Sequence, residues 1–280
     1  MPRIVEGSEE ALRIDTALGC WRQGDLALDE SLFVHLADPA APLTEAADEA
    51  VGEGLQALGS EVRGLIVLTQ TCDLVRSCAV RPYVEVSPLV EVGHEALNEV
   101  RKGRRPSLAT FPALAVRGLA ADLDRTMTVE KSLVAAWHRT PGCATDGEVR
   151  GLADALARKR ARFAFPNDFT ALVMKLSGHL AGKHGKDSPE GRALRALREI
   201  RISASPRWDA DSIALLFRFV PEGDGPDADG AAHLDKWLAM VPPTGRFTEV
   251  DGLIVSLEDM TAADYVDGDK LDLDRLSLPR

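Results

Sequence analysis

The stretch GLIVLTQTCDLV, residues 64–75, constrains the fold more than any other part of the chain. Leu65 to Leu68 form a short, uninterrupted apolar run bounded by a glycine and by Thr69-Gln70, which is the pattern of a buried β-strand rather than of an amphipathic helix. The strand then ends in Cys72 and Asp73, a thiol beside a carboxylate. Three readings fit that ending: a catalytic nucleophile, a metal ligand, or a strand end with a buried cysteine.

With 280 residues, 45% of them hydrophobic, the chain can bury a sizeable core in two domains or one elaborated domain. No apolar stretch reaches the roughly 18 residues needed to cross a bilayer. The acidic opening MPRIVEGSEEALRID lacks the pattern of a signal peptide, which predicts a cytoplasmic protein with no membrane partner. Cys20, Cys72, Cys78 and Cys143 form no CxxC pair and are expected to be reduced. The abundance of Ala, Arg, Asp and Gly suggests a bacterial genome rich in GC.

Charge is unevenly spread. Residues 1–100 hold 6 Lys+Arg against 18 Asp+Glu, residues 101–207 hold 21 against 10, and residues 208–280 hold 6 against 16. The basic centre either binds a polyanion or is neutralised by the flanks on folding. Its two densest segments are Arg101, Lys102, Arg104 and Arg105, then Arg158, Lys159, Arg160 and Arg162. These are the candidate nucleic-acid-binding residues, with Trp137 or Phe163 as a stacking surface. The alternative is that 158–162 closes a helix and docks on the acidic N-terminal half.

Patterning along the chain predicts a helix over 8–18 with Ser8 as its cap, a turn at Gly24-Asp25, and a strand after it. Residues 38–60 read as a loop with an acidic helical turn. Strands follow at 62–70 and 82–92, with Pro88 expected at an edge or an end. A short helix begins at 94, and further strands lie near 118–123 and 126–130. Helical spacing covers 148–165 and 166–185, and Ser188-Pro189-Glu190 starts a third helix that runs into a strand. A strand at 212–220, a helix at 232–241 and one or two strands in 245–259 complete the pattern. The predicted class is α+β: a small β-barrel-like domain over 1–138, a basic helical connector over 139–200, and a small α+β domain over 201–280.

Metal chemistry finds little support. Cys72 and Cys78 stand six apart, His179 and His184 stand five apart, and HExxH, DxDxDG and Walker patterns are absent, so no metal or cofactor is expected. Asp122, Asp124 and Glu130-Lys131 approach a nuclease pattern, but adjacent Glu and Lys point to opposite faces of a strand. A nucleophilic Cys72 needs a base and an electropositive setting, whereas Asp73 beside it raises a thiol's pKa.

The Gly24-Asp25 turn opening a strand, then Arg63-Gly64-Leu65-Ile66-Val67-Leu68-Thr69 and Val84-Glu85-Val86-Ser87-Pro88-Leu89, resembles the SH3-like barrel of MazF/PemK-type toxins over residues 20–92. That resemblance implies a barrel and an endoribonuclease, with Arg63 stabilising the cleaved phosphate and Asp25 or Asp73 as base. Gly64 stands in place of the family's proline and Val90 in place of its threonine. The stretch Thr69–Asp73 is also similar to bacterial proteins in a way that implies no function. The leading expectation is a non-catalytic binding or adaptor protein that engages a protein partner or a nucleic acid. The alternatives are the MazF-like ribonuclease and a cysteine-dependent hydrolase using Cys72.

Overall fold

Leu65, Ile66, Val67 and Leu68 are each at most 4% exposed. Alternate residues point to opposite faces of a strand, so Leu65 and Val67 enter one core while Ile66 and Leu68 enter another. A four-residue run without a polar member is what two buried faces require. The protein is seen here as a computed structural model that describes residues 4–50, 54–101, 105–161, 163–222 and 228–271. The chain divides into two units, residues 1–160 and 161–280. The division falls inside the segment expected to be a connector.

The first unit begins with α1 (Glu9–Leu18), whose cap Ser8 accepts from the Ala11 N–H at 3.2 Å. β1 (Leu26–Ala27), β2 (Leu32–Ala37), α2 (Glu45–Asp48), β3 (Gln56–Glu61), β4 (Leu65–Val67), α3 (Thr71–Leu74) and β5 (Tyr83–Glu91) follow. Then come α4 (His94–Arg101), β6 (Leu108–Ala109), α5 (Pro112–Ala115), β7 (Leu119–Asp122), β8 (Met127–Glu130), α6 (Lys131–Val134) and α7 (Asp146–Arg160). β4 lies between β1 and β5, and β5 is the centre of the sheet. One edge of β5 pairs with β4. Its other edge is shared, residues 83–86 pairing with β8 and residues 89–91 with β7.

Pro88 occupies the interior of β5 rather than an end. Leu89 exchanges both backbone bonds with the β4 side, so Pro88, one residue away, turns its missing N–H toward the opposite edge, between the last β8 pair and the first β7 pair. A residue without a donor thus sits where the sheet forks and no ladder bond is needed. The fork also leaves the sheet open. Its path runs β1-β4-β5-β7-β6, ends in two-residue strands, and forms no closed barrel among the described residues. The expected SH3-like barrel is therefore not found. The strand predicted after Gly24-Asp25 splits into β1 and β2, and β3, which the pattern did not suggest, pairs with β2 as a separate two-stranded sheet.

The second unit contains α8 (Asn167–His184), α9 (Pro189–Ala196), β9 (Leu197–Ser205), β10 (Ile213–Pro221), α10 (Ala228–Leu238), β11 (Phe247–Ile254), α11 (Ala262–Asp267) and β12 (Asp269–Lys270). Its sheet order is β11-β10-β9-β12, with β10 and β11 parallel and joined through α10. Ile213, Leu215, Phe217 and Phe219 recur every second residue of β10 and pack against Phe169, Val173, Leu176 and Leu180 of α8. Glu190 of α9, 6% exposed, accepts from His179 at 2.6 Å, Lys236 at 2.8 Å and Trp237 at 3.1 Å, so one carboxylate ties three helices together. Both units are mixtures of helix and mostly antiparallel sheet, as the α+β class predicts. Among the described residues no helix is long and apolar enough to cross a membrane.

Candidate functional site

The β2–β3 hairpin carries an unusual outer face. Strand β2 reads LFVHLA, apolar at nearly every position, so alternation leaves neither of its faces polar. Phe33 is 2% exposed and anchors the inner face in the core that also holds Trp21 and Val67. The His35 ring lies beside it at 6.4 Å, and the Arg125 guanidinium covers it at 5.7 Å. On the outer face Leu32, Val34 and Leu36 remain 57%, 39% and 66% exposed.

Opposite them in register stand Glu61, Gly59 and Ala57. No large side chain of β3 shields the aliphatic row. Leu32 leans across instead: its Cδ1 lies 2.7 Å from where a Cβ on Gly59 would be. The glycine thereby makes the row one continuous patch. Completing the burial of these three side chains contributes about 3 kcal/mol at the usual value for aliphatic residues, less than the roughly 4–15 kcal/mol that association costs, so the row by itself does not hold a partner.

The candidate catalytic residues are not gathered in one place. Asp25 is 2% exposed and fully engaged: it accepts from the Arg22 N–H at 2.7 Å, from Arg139 Nε at 2.6 Å and from the Gly142 N–H at 3.2 Å. Arg63 is exposed and pairs with Glu91 at 2.9 Å. It lines an open groove of about 330 Å³ with Glu61, Val62, Leu89, Val90, Glu91 and Arg125, which includes none of Asp25, Cys72 and Asp73. Cys72 and Asp73 lie on the single turn of α3. The Cys72 thiol is exposed, and its hydrogen-bond partner at 3.6 Å is Gln70 Oε1, not an imidazole. The buried cysteine of this region is Cys78, whose thiol burial pushes up, with Asp15 adding to the rise.

Lys131, read from the sequence only as part of a nuclease-like pattern, is a buried cation. Lys131 is 1% exposed and donates to the carbonyls of Asp73 at 2.9 Å and Arg76 at 2.6 Å, closing the end of α3 from below. Burial lowers its pKa, while Asp15, Cys78 and Asp73 work in the other direction. Glu130 beside it is exposed, as the opposed directions of neighbouring residues imply.

The basic segments divide. Lys159 pairs with Asp124, and Arg160 makes a two-bond fork with Glu85 that includes Nη1 to Oε2 at 3.0 Å. These two cations of α7 are thus met by carboxylates of the same unit, as the alternative reading of 158–162 expects. Arg158 lies in the last turn of α7; Arg101 ends α4 and Arg105 precedes β6. Lys102, Arg104 and Arg162 fall outside the described residues. Trp137 is core, 9% exposed, and Phe163 packs on Phe165 and Trp208 at 5.1 and 5.7 Å. Among the described residues no group of three or more His, Cys, Asp or Glu is placed to hold a metal. Comparison with protein-family models, with curated proteins and with solved structures gives no match.

Proposed function

We propose that the chain is a non-catalytic binding protein of the bacterial cytosol that engages a protein partner through the outer face of β2–β3. The carrying observation is the row Leu32, Val34 and Leu36, three branched aliphatics left in water on one face of a strand whose other face is anchored by Phe33. A protein partner suits this face better than a nucleic acid, because an apolar row offers phosphates nothing. The engagement of Lys159 and Arg160 by Asp124 and Glu85 points the same way.

A photo-crosslinking residue placed at Val34 tests the reading in cells. A discrete protein adduct that disappears when Leu32→Ser and Leu36→Ser are added supports it. An adduct pattern identical to that from Val116, an unrelated exposed position, or no adduct at all, overturns it. The groove beside Arg63 favours a second reading, a MazF-like ribonuclease, because it brings the Arg63 and Arg125 guanidinium groups to one open surface. Glu61 and Glu91 in the same lining oppose an anion there. RNA cleavage by the purified protein that Arg63→Ala abolishes supports that reading, and no cleavage of structured or unstructured RNA ends it.

A further inference from the structure

The partner's chemistry can be taken further, on the reading that the outer hairpin face is a binding surface. From Gln23 to Val62 the sequence contains nine Asp and Glu and not one Lys or Arg. Asp25 is buried against Arg139 and so adds nothing to the surface. Glu61 stands directly opposite Leu32 on the apolar face, and Asp38 follows the end of β2. Helix α2, which packs against β3, supplies Glu45 and Asp48, with Glu49 as its last cap.

All five are exposed, and among the described residues none forms an ion pair with a lysine or arginine. Elsewhere in the same unit some carboxylates are met, Asp122 by Arg125, Asp124 by Lys159, Glu85 by Arg160 and Glu91 by Arg63, while Glu9, Glu10, Glu95, Glu130 and Asp154 are exposed and form no ion pair among the described residues. What marks this group is its place: Glu61 faces Leu32 in register, though it also shares a groove with Arg63 and Arg125, and Asp38 follows the end of β2, so acid adjoins unburied aliphatic surface.

We infer that the occupant of this face is a basic protein segment with apolar anchors, its aliphatic or aromatic side chains seated on Leu32, Val34 and Leu36 and its Lys or Arg residues meeting Glu61 and the carboxylates of α2 and its cap. An acidic or uncharged segment gains the apolar contact but leaves the acids facing each other or an unpaired rim. A second copy of this chain brings the same excess of acid and is repelled. Charge therefore selects among the sequences that the apolar row by itself accepts.

The test uses the full-length protein and two labelled twelve-residue peptides, one alternating Lys with Val and one alternating Glu with Val, followed by fluorescence anisotropy. The lysine peptide is expected to bind at least ~10-fold more tightly than the glutamate peptide, and to weaken severalfold as salt rises from about 50 to 200 mM. Leu32→Ser/Val34→Ser/Leu36→Ser abolishes binding, and Glu45→Lys/Asp48→Lys/Glu61→Lys inverts the preference between the peptides. Equal binding of both peptides, lost in the serine variant, overturns the basic partner and leaves the apolar binding face standing. Lysine-peptide binding that the serine variant retains overturns both, since the attraction is then diffuse acid alone. Concentration-dependent dimerisation that the serine variant abolishes overturns the basic partner in favour of a second copy. No binding of either peptide, beside a persistent Val34 adduct in cells, removes the basic partner alone.

Discussion

Asp25 distinguishes a structural carboxylate from a catalytic one. It joins the turn at Gly24 to the segment 139–142 by accepting from the Arg139 guanidinium and the Gly142 N–H, the Arg22 N–H holds it within its own turn, and Leu26 and Thr140 exchange backbone bonds of 2.9 and 2.8 Å immediately beside it. Replacement by Asn keeps the shape, removes the charge facing Arg139, and turns one acceptor into a donor aimed at another donor. Breaking a buried ion pair from one side costs about 3–5 kcal/mol. At a urea dependence of about 2 kcal/mol per molar, the first unit's unfolding midpoint should fall by about 2 M.

Hydrogen exchange in graded urea, read by mass spectrometry on peptides of residues 4–160, reports this unit separately from the other. Asp25→Asn and Arg139→Gln are expected to be strongly coupled, with the double variant little worse than either single one. A midpoint that moves by less than about 0.5 M in Asp25→Asn refutes the clamp. If RNA cleavage exists and this variant loses it while the midpoint holds, the carboxylate is a base, as the toxin resemblance implies.

Other expectations follow from the same geometry. Burial drives the Glu190 carboxyl upward, but bonds from Lys236, His179 and Trp237 outweigh it and bring its pKa from 4.5 down to about 2. A lowered carboxyl stabilises the fold above its unfolded value, so about 3 kcal/mol should be lost from the second unit as pH falls from about 5 towards 2. Glu190→Gln should flatten that dependence, and an unchanged urea-versus-pH profile would falsify the assignment. Lys131→Met leaves the Asp73 and Arg76 carbonyls without their donor and should cost about 2 kcal/mol, with exchange of the residues 71–76 rising first; unaltered protection there contradicts the role. Native thiol labelling should reach the exposed Cys20 and Cys72 before Cys78 and Cys143, since burial, then Glu148 and Asp25, push the Cys143 thiol up to about 11. Prompt labelling of Cys143 at pH 8 contradicts that order.

Much of the secondary structure is legible in local chemistry. Ser8 and Ser188 cap the helices they were expected to cap, and the strands near 118–123 and 126–130 appear as β7 and β8. Strand β3 is not legible, because QALGSE has the small and polar residues of a loop and becomes a strand by pairing with β2. Nor is the exposed apolar face of β2. A strand that is apolar on both sides reads as buried on both, and Leu32, Val34 and Leu36 stay in solvent because no layer of the described residues covers them. Pro88 shows the same limit: its place inside a strand depends on where two other strands part company.

What the residues decide by themselves is periodicity, capping and the doubly buried run at 65–68, since each rests on neighbours close along the chain. Which carboxylate meets which cation is decided across 35 residues for Lys159 with Asp124, 75 for Arg160 with Glu85 and 114 for Arg139 with Asp25. Coulomb attraction and burial act through space, so only the folded chain settles which charges are spent inside and which acids are left in solvent.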